Sequence, residues 1–341
     1  MFQACLVQFV AICCNLLQFI LISLDPSQSI PIHLNPSQSI SIRLVIEMLV
    51  PMLELEVLSI FPELFEPYMS SSIMGRARRA GIFSFKAYNL RDWTHDAHKT
   101  VDDAPFGGGP GMLMKPEPFF EAVRDISESK NAASDEAHVT ASAAAAAPAS
   151  DEAKRPHRPH IVMFSPAGVP FDQACASRLA KEERVLFLCG HYEGIDERVY
   201  SLSDEVISLG DYVLTGAELP AMVVMDAVVR LLPGALGDSE SSVDESFSLS
   251  GLLEYAQYTR PRSYQGMDVP DILLSGNHQA IANWQRENAL ARTARLRPDL
   301  LDAADISQEE YDRARAYIEH APLDDSLDDP LDTPSARSAD Q

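Results

Sequence analysis

From Leu53 onward the apolar and polar positions settle into a regular pattern. Leu53-Glu-Leu-Glu-Val-Leu-Ser-Ile60 alternates and then turns apolar, as a strand does on entering a buried sheet. Pro62 opens a helical stretch over Phe61–Ala80, and Gly81 follows at the place where glycine ends helices. Ile82–Leu90 predicts a second strand, Arg91–Met114 a loop and Glu117–Ile126 a short helix. Further strands are predicted at Ile161–Ser165, Val185–Cys189 and Asp204–Leu209, with a helix between the first two ending at Leu179. Leu219–Leu232 is apolar nearly all round, which predicts a buried helix. Strands alternating with helices argue for a mostly parallel α/β sheet. Beyond a Ser/Glu-rich loop at 237–251, Asn277 caps a predicted helix from His278 to about Arg295, and Pro298 opens another.

Some segments lack this pattern. Residues 4–24 carry no charge, and the run is long enough to span a bilayer at roughly 20 residues. No basic residue precedes Ala4, as a secretory signal requires. The near-repeat of Asp25-Pro-Ser-Gln-Ser-Ile30 at Asn35–Ile40 follows it. Residues 1–51 are therefore read as a non-native or disordered extension, with the fold starting near Met52; a membrane anchor and a targeting segment are the alternatives. Residues 127–160 are Ala-, Ser-, Pro- and charge-rich and read as a flexible insert. The resulting division is a main domain over 52–235, a linker over 236–253, a helical domain over 254–320 and an acidic, disordered tail over 321–341.

Composition adds limits. The chain has 341 residues, 46% of them hydrophobic and 23% charged, which excludes a wholly disordered chain, a collagen-like fibre and a polytopic membrane protein. The net charge of −23 argues as a total against nucleic-acid binding. The excess is unevenly spread, however. Residues 254–298 hold six Arg against four acids, whereas 299–341 hold thirteen acids against three Arg. Five cysteines, three of them in the first 14 positions, form no C-x-x-C or Cys/His cluster, so neither a disulfide framework nor a zinc site is supported. No metal is expected, and a reducing, cytoplasmic setting fits.

Candidate chemistry lies in four segments. Asp102-Asp-Ala-Pro-Phe-Gly-Gly-Gly-Pro-Gly111 reads either as a phosphate cradle or as a mobile loop, and nothing completes a P-loop or a dinucleotide fingerprint. Cys189-Gly-His-Tyr-Glu-Gly-Ile-Asp-Glu-Arg198 and Leu209-Gly-Asp-Tyr-Val-Leu-Thr-Gly216 each follow a predicted strand, as does Ser165-Pro-Ala-Gly168. Ligands of α/β sheets bind beyond the carboxyl ends of strands, so these three loops either form one pocket or are ordinary turns. The acidic loop Asp238–Ser246 reads by composition as solvated, and a lone His191 as structural.

Taken together, DDAPFGGGPGMLMKPEP at 102–118, LCGHYEGIDERV at 188–199, SLGDYVLTGAELPAM at 208–222, and YTRP with GMDVPDILLSGNH at 258–278 resemble the TrmD family of bacterial tRNA (guanine-N1)-methyltransferases. The resemblance covers about Met52 to Leu300, apart from the insert. It implies a SPOUT α/β fold with a deep trefoil knot, a small C-terminal helical domain, and a homodimer with composite active sites. The implied reaction moves a methyl group from S-adenosylmethionine to N1 of guanosine 37 in tRNA. Cofactor contacts are implied at Ser165, Pro166, Gly190, Tyr192, Glu193, Gly194, Leu209, Gly210, Asp211, Tyr212, Val213, Leu214, Gly216, Ala217 and Pro220.

N1 of guanine is a poor nucleophile until it loses its proton, so a carboxylate base and a cation facing O6 are required. The resemblance gives the cation role to Arg230. The family's Glu-Asp-Ser-Phe reads Asp244-Glu245-Ser246-Phe247 here, which places Glu245 at the base position with Asp244 as the alternative. Gly109, Arg260, Arg262, Arg286, Arg292 and Arg295 are implied contacts to tRNA. Two departures bear on activity: Ala217 replaces the second Gly of Gly-Gly-Glu-Leu-Pro, and Ala256 stands where Pro is usual. If position 217 requires a positive φ, Ala there weakens cofactor binding. A catalytically impaired tRNA-binding member of the same fold is therefore the alternative reading.

Overall fold

The computed structural model describes residues 52–138, 158–236, 245–247 and 250–319. The expectations for residues 1–51, for 139–157 of the insert, for Asp244 and for the tail at 321–341 lie outside the described residues. In chain order the strands are β1 (Leu53–Ser59), β2 (Phe83–Asn89), β3 (Asp102–Asp103), β4 (Leu113–Met114), β5 (His160–Pro170), β6 (Arg184–Leu188), β7 (Glu205–Ser208), β8 (Ser263–Tyr264) and β9 (Met267–Asp268). The helices are α1 (Glu66–Met69), α2 (Ser72–Arg79), α3 (Pro116–His138), α4 (Gln173–Leu179), α5 (Glu218–Val229), α6 (His278–Leu296) and α7 (Gln308–Glu319).

Five strands form one all-parallel sheet in the order β2-β1-β6-β5-β7. The central strand β6, Arg-Val-Leu-Phe-Leu, is buried at every position. Helices on both faces explain this. Val185 and Phe187 belong to an apolar cluster with Leu179 of α4 and Val224 and Val228 of α5. Leu186 and Leu188 point to the opposite cluster, with Phe119, Val123 and Ile126 of α3. Among the described residues no helix is long and apolar enough to cross a membrane.

Several elements differ from the sequence pattern. The stretch expected as one helix over 61–80 is broken into a 3-10 turn at Pro62–Leu64, then α1, then α2, with Ser72 at φ 45°. Ser70 and Ser71 hydroxyls bond back to the Glu66 carboxylate and the Pro67 carbonyl, offering the chain a local alternative to the helix ladder. Conversely, α3 runs on to His138, twelve residues past its expected end at Ile126 and into the segment expected to be flexible. That segment is too polar to pack a core, but between Pro118 and Pro148 it contains no Gly or Pro to stop a helix. β5 extends to Pro170 through a register shift between Phe164 and Val169. Finally, α5 buries Val224, Met225 and Val228 but leaves Leu219 61% and Val223 51% exposed, so one apolar face is uncovered.

At the C-terminal end α6 and α7 build a third apolar cluster around Leu252, Leu290, Ala294, Leu301 and Ala314. Asn277 caps α6 as expected, its Oδ1 accepting from the Ala280 N–H at 3.2 Å. Pro298 opens only a 3-10 turn, Pro298–Ala303, before α7. The segment ahead of α6 is pinned to it by the Leu253 N–H on Thr293 Oγ1 (2.9 Å) and the Ala256 N–H on Asn288 Oδ1 (2.7 Å). Proline at 256 has no N–H to make the second bond. Ala256 is thus integrated into the packing here.

Candidate active site

The loops after β6 and β7, together with the irregular stretch inside β5, wall one cleft of about 270 Å³. After β6 come Gly190, Tyr192, Glu193 and Gly194; after β7 come Leu209, Gly210, Tyr212, Val213, Leu214, Gly216, Ala217 and Pro220. Ser165 and Pro166 sit in the β5 irregularity and close the third side. Of the residues expected to contact the cofactor, Asp211 alone is not on the wall. Ile195, Ile207 and Thr215 line it as well, and motif reasoning did not select them; His191, within the matched stretch 190–194, is also on the wall.

The loops after β6 and β7 are tied together. His191 and Gly216 form an antiparallel bridge, and the Ala217 N–H donates to the Gly190 carbonyl at 2.9 Å. A Cβ at position 216 would lie 2.4 Å from Glu218 Oε2 and 2.5 Å from His191 Nδ1, so any larger residue here has to displace these two side chains. Ala217 has φ −95° and ψ 3°, outside the left-handed region that would favour glycine. The expected strain at 217 is therefore absent. Tyr192 is the residue in the left-handed region, at φ 61°.

The glycine-rich segment borders the same cleft. The Met114 N–H of β4 donates to the Gly194 carbonyl (2.9 Å), and the Asp196 N–H to the Met114 carbonyl (3.0 Å). Gly111, at φ 85°, packs so closely on Glu193 that a Cβ would come within 2.1 Å of its Cγ. Gly109 lies at the open part of this loop, with nothing within 4 Å of a Cβ built on it.

Arg230 and Glu245 meet in a two-point ion pair, Nη1 to Oε2 at 2.5 Å and Nη2 to Oε1 at 2.7 Å. Arg230 caps the C-terminal end of α5, and Glu245 is held by a turn in which the Phe247 N–H donates to the Leu252 carbonyl (2.8 Å) and the Glu254 N–H to Ser246 Oγ (2.9 Å). The hydrogen bonds that Arg230 donates to the Glu245 carboxylate raise the Arg230 pKa above its ordinary value. One turn earlier on α5, Asp226 accepts from the Tyr68 hydroxyl, and burial together with this carboxylate pushes the phenol up to about 12.

The arginines expected to touch tRNA divide into two groups. Arg286 donates to Glu310 (Nε to Oε1, 2.8 Å) and to Ser250 Oγ (3.1 Å), and Arg292 Nε donates to the Glu254 carbonyl (3.2 Å). Both side chains therefore hold the C-terminal cluster together. Arg262 pairs at the surface with Asp271 at 2.7 Å. Arg260 is exposed ahead of β8, and Arg295 is half-buried in the last turn of α6.

Comparison with known proteins gives a consistent result. The family model for tRNA (Guanine-1)-methyltransferase TrmD matches residues 53–303. Three curated proteins, each a tRNA (guanine-N(1)-)-methyltransferase, are similar over most of their length. The protein from Symbiobacterium thermophilum is 49% identical over 263 residues, covering 77% of this chain and 97% of that one. The one from Moorella thermoacetica is 48% identical over 259 residues (76% and 94%), and the one from Dictyoglomus turgidum 46% over 261 residues (76% and 95%).

Proposed function

The chain belongs to the TrmD family and acts as a tRNA (guanine-N1)-methyltransferase, and from that premise we propose that its donor is S-adenosylmethionine and its target guanosine 37. The observation that carries this reading is the convergence of the loops after β6 and β7 and the β5 irregularity on one cleft, with glycine at 216 where a Cβ would crowd Glu218 and His191. Apolar walls from Ile195, Leu209 and Val213, with backbone groups at the glycines, suit a nucleoside with a short charged tail. When bound there, the donor supplies an electrophilic methyl group.

The Arg230–Glu245 pair supplies the remaining chemistry. The edge of guanine presents an N1–H donor beside an O6 acceptor. A carboxylate and a guanidinium side by side match that edge, so guanine replaces the mutual contacts of the pair with its own. Glu245 then takes the N1 proton, and Arg230 faces the charge that builds on O6. Asp244 is the alternative base. An impaired member is not favoured, since Ala217 is unstrained and Glu245 is already on Arg230.

The geometry of α5 supports a homodimer with shared sites. Ala217 and Arg230 cap opposite ends of this helix, so at 1.5 Å per residue they stand about 20 Å apart. A single nucleotide does not bridge that gap. The cleft of one chain is therefore completed by Arg230 and Glu245 of a second copy. The uncovered Leu219 and Val223, with Val213 at 87% exposed, offer the apolar surface for that copy. We also read the passage of 209–217 against 190–194 as part of a trefoil knot, 236–253 as a linker, 254–320 as a tRNA-binding helical domain with Arg260 and Arg295 as its phosphate contacts, and the enzyme as cytoplasmic. The test is methyl transfer from labelled S-adenosylmethionine by the full chain to two transcripts. Labelling of the G37 transcript but not of its A37 variant is expected; no transfer at saturating donor overturns the reading.

A further inference from the structure

Beneath the cleft lies a carboxylate that the proposed reaction does not use. Glu218, the first residue of α5, is only 5% exposed. Its Oε1 accepts from the Ser59 hydroxyl at the end of β1 at 2.7 Å. Its Oε2 stands 3.8 Å from His191 Nδ1. That nitrogen is buried and has no hydrogen-bond partner. The rest of the imidazole lines the cleft, braced edge-on by Phe61 and Tyr192 at centroid distances of 5.1 and 5.2 Å. The backbone N–H of His191 donates to Met114 Sδ at 3.1 Å.

Chemistry decides which atom of this imidazole carries the proton. A bare Nδ1 would aim its lone pair at a buried carboxylate, leaving two acceptors facing each other with no donor between them, an arrangement heavily penalised away from water. A proton on Nδ1 turns the same pair into a donor and an acceptor, and a small ring rotation closes 3.8 Å to hydrogen-bond length. The neighbouring Cys189 does not compete for this role. Burial, with Glu218 nearby, pushes its thiol well above its ordinary value, and Sγ contacts the Ala217 carbonyl at 3.7 Å.

We propose that Glu218 is a positioning residue for methyl-donor binding: anchored by Ser59, it holds the Nδ1 proton of His191 and so fixes the spacing of the Gly190–Gly194 and Gly216–Ala217 loops. This inference rests on the cofactor reading of the cleft. Glycine at position 216 suits the same contact, because a Cβ there would lie 2.4 Å from Glu218 Oε2 and 2.5 Å from His191 Nδ1 and push the two apart.

Two measurements on the full chain test it. Nitrogen-15 NMR of the imidazoles, with His191 assigned through His191→Gln, is expected to find His191 as the Nδ1–H tautomer in the wild type and as Nε2–H in Glu218→Met. Titration calorimetry with S-adenosylhomocysteine is expected to show about tenfold weaker binding in Glu218→Met. The near-isosteric Met is expected to keep the fold at a somewhat lower thermal midpoint, because the buried Ser59 hydroxyl loses its acceptor. An Nε2–H tautomer in the wild type overturns the proposal even if the variant does not fold, as does a folded variant binding within twofold of wild type. Failure of the wild type to bind S-adenosylhomocysteine counts instead against the cofactor reading and leaves the tautomer result standing.

Discussion

Arg230 closes the C-terminal end of α5 and grips both oxygens of Glu245, a residue fifteen positions later in a turn of its own. Among the described residues neither side chain has a further hydrogen-bond partner, which suits the role proposed for the pair on a guanine edge. Glu245→Gln is expected to lower single-turnover methyl transfer by about 10²–10⁴-fold, the usual contribution of a general base. S-adenosylhomocysteine affinity is expected to stay within twofold. Asp244→Asn, made in parallel, is expected to retain most activity.

Arg286 is tied to Glu310 within the C-terminal cluster, and Glu310 is held down to about 2, chiefly by the hydrogen bond from Arg286. A carboxylate whose folded value lies below its unfolded value of 4.5 adds stability above pH 4.5 and loses it as pH falls toward 2. Because the pair is partly solvated, the contribution is on the order of 1–2 kcal/mol. Glu310→Gln is expected to lower the thermal midpoint at pH 7, and the gap to wild type is expected to close on acidification, as read by circular dichroism.

Arg260, by contrast, is exposed in a locally basic stretch. Arg260→Gln is expected to weaken tRNA binding and to flatten the plot of log affinity against log salt by about 0.7–0.9, the share of one phosphate contact. Arg292→Gln, which removes a bond to the Glu254 carbonyl, is expected to lower stability more than it changes that slope. Filter binding across a salt series and thermal melts separate the two behaviours.

Tyr192 holds a left-handed backbone, at φ 61°, on the wall of the cleft. Such a conformation costs a non-glycine residue about 1–2 kcal/mol. Tyr192→Gly is expected to leave the thermal midpoint no lower than wild type, despite the lost ring contact with His191, while S-adenosylhomocysteine binding weakens severalfold. A lower midpoint with unchanged binding would mean that the ring serves packing alone.

Much of this architecture is legible in the sequence where a single physical cause dominates. Burial on both faces makes β6 an unbroken apolar run, and the side chain of Asn277 is what α6 needs at its start. Elements decided by competition are not legible in the same way. The serines at 70–72 break a stretch whose apolar pattern is helical, and Ala-rich polarity hides a helix continuing to His138. The all-apolar α5 reads as buried because its sequence does not distinguish a core face from one left uncovered at Leu219 and Val223. At the site, the motif resemblance gathers the cleft residues, whereas Ser59, Glu218 and His191 stand 159 and 27 positions apart and meet only in space. A buried acid opening an apolar helix, beside a histidine at a strand end, was the available signal.

The most direct test of the shared-site account is complementation between two inactive variants. Glu245→Gln has an intact cleft without a base, and Gly216→Val has an intact base with a cleft wall disturbed by displacement of His191 and Glu218. Each is expected to be inactive alone in methyl transfer to a G37 tRNA transcript. Co-refolded in equal amounts, half of the dimers are mixed and each carries one complete site, so the expected activity is about a quarter of wild type. A mixture no more active than its two parents would contradict a cleft completed by the second copy.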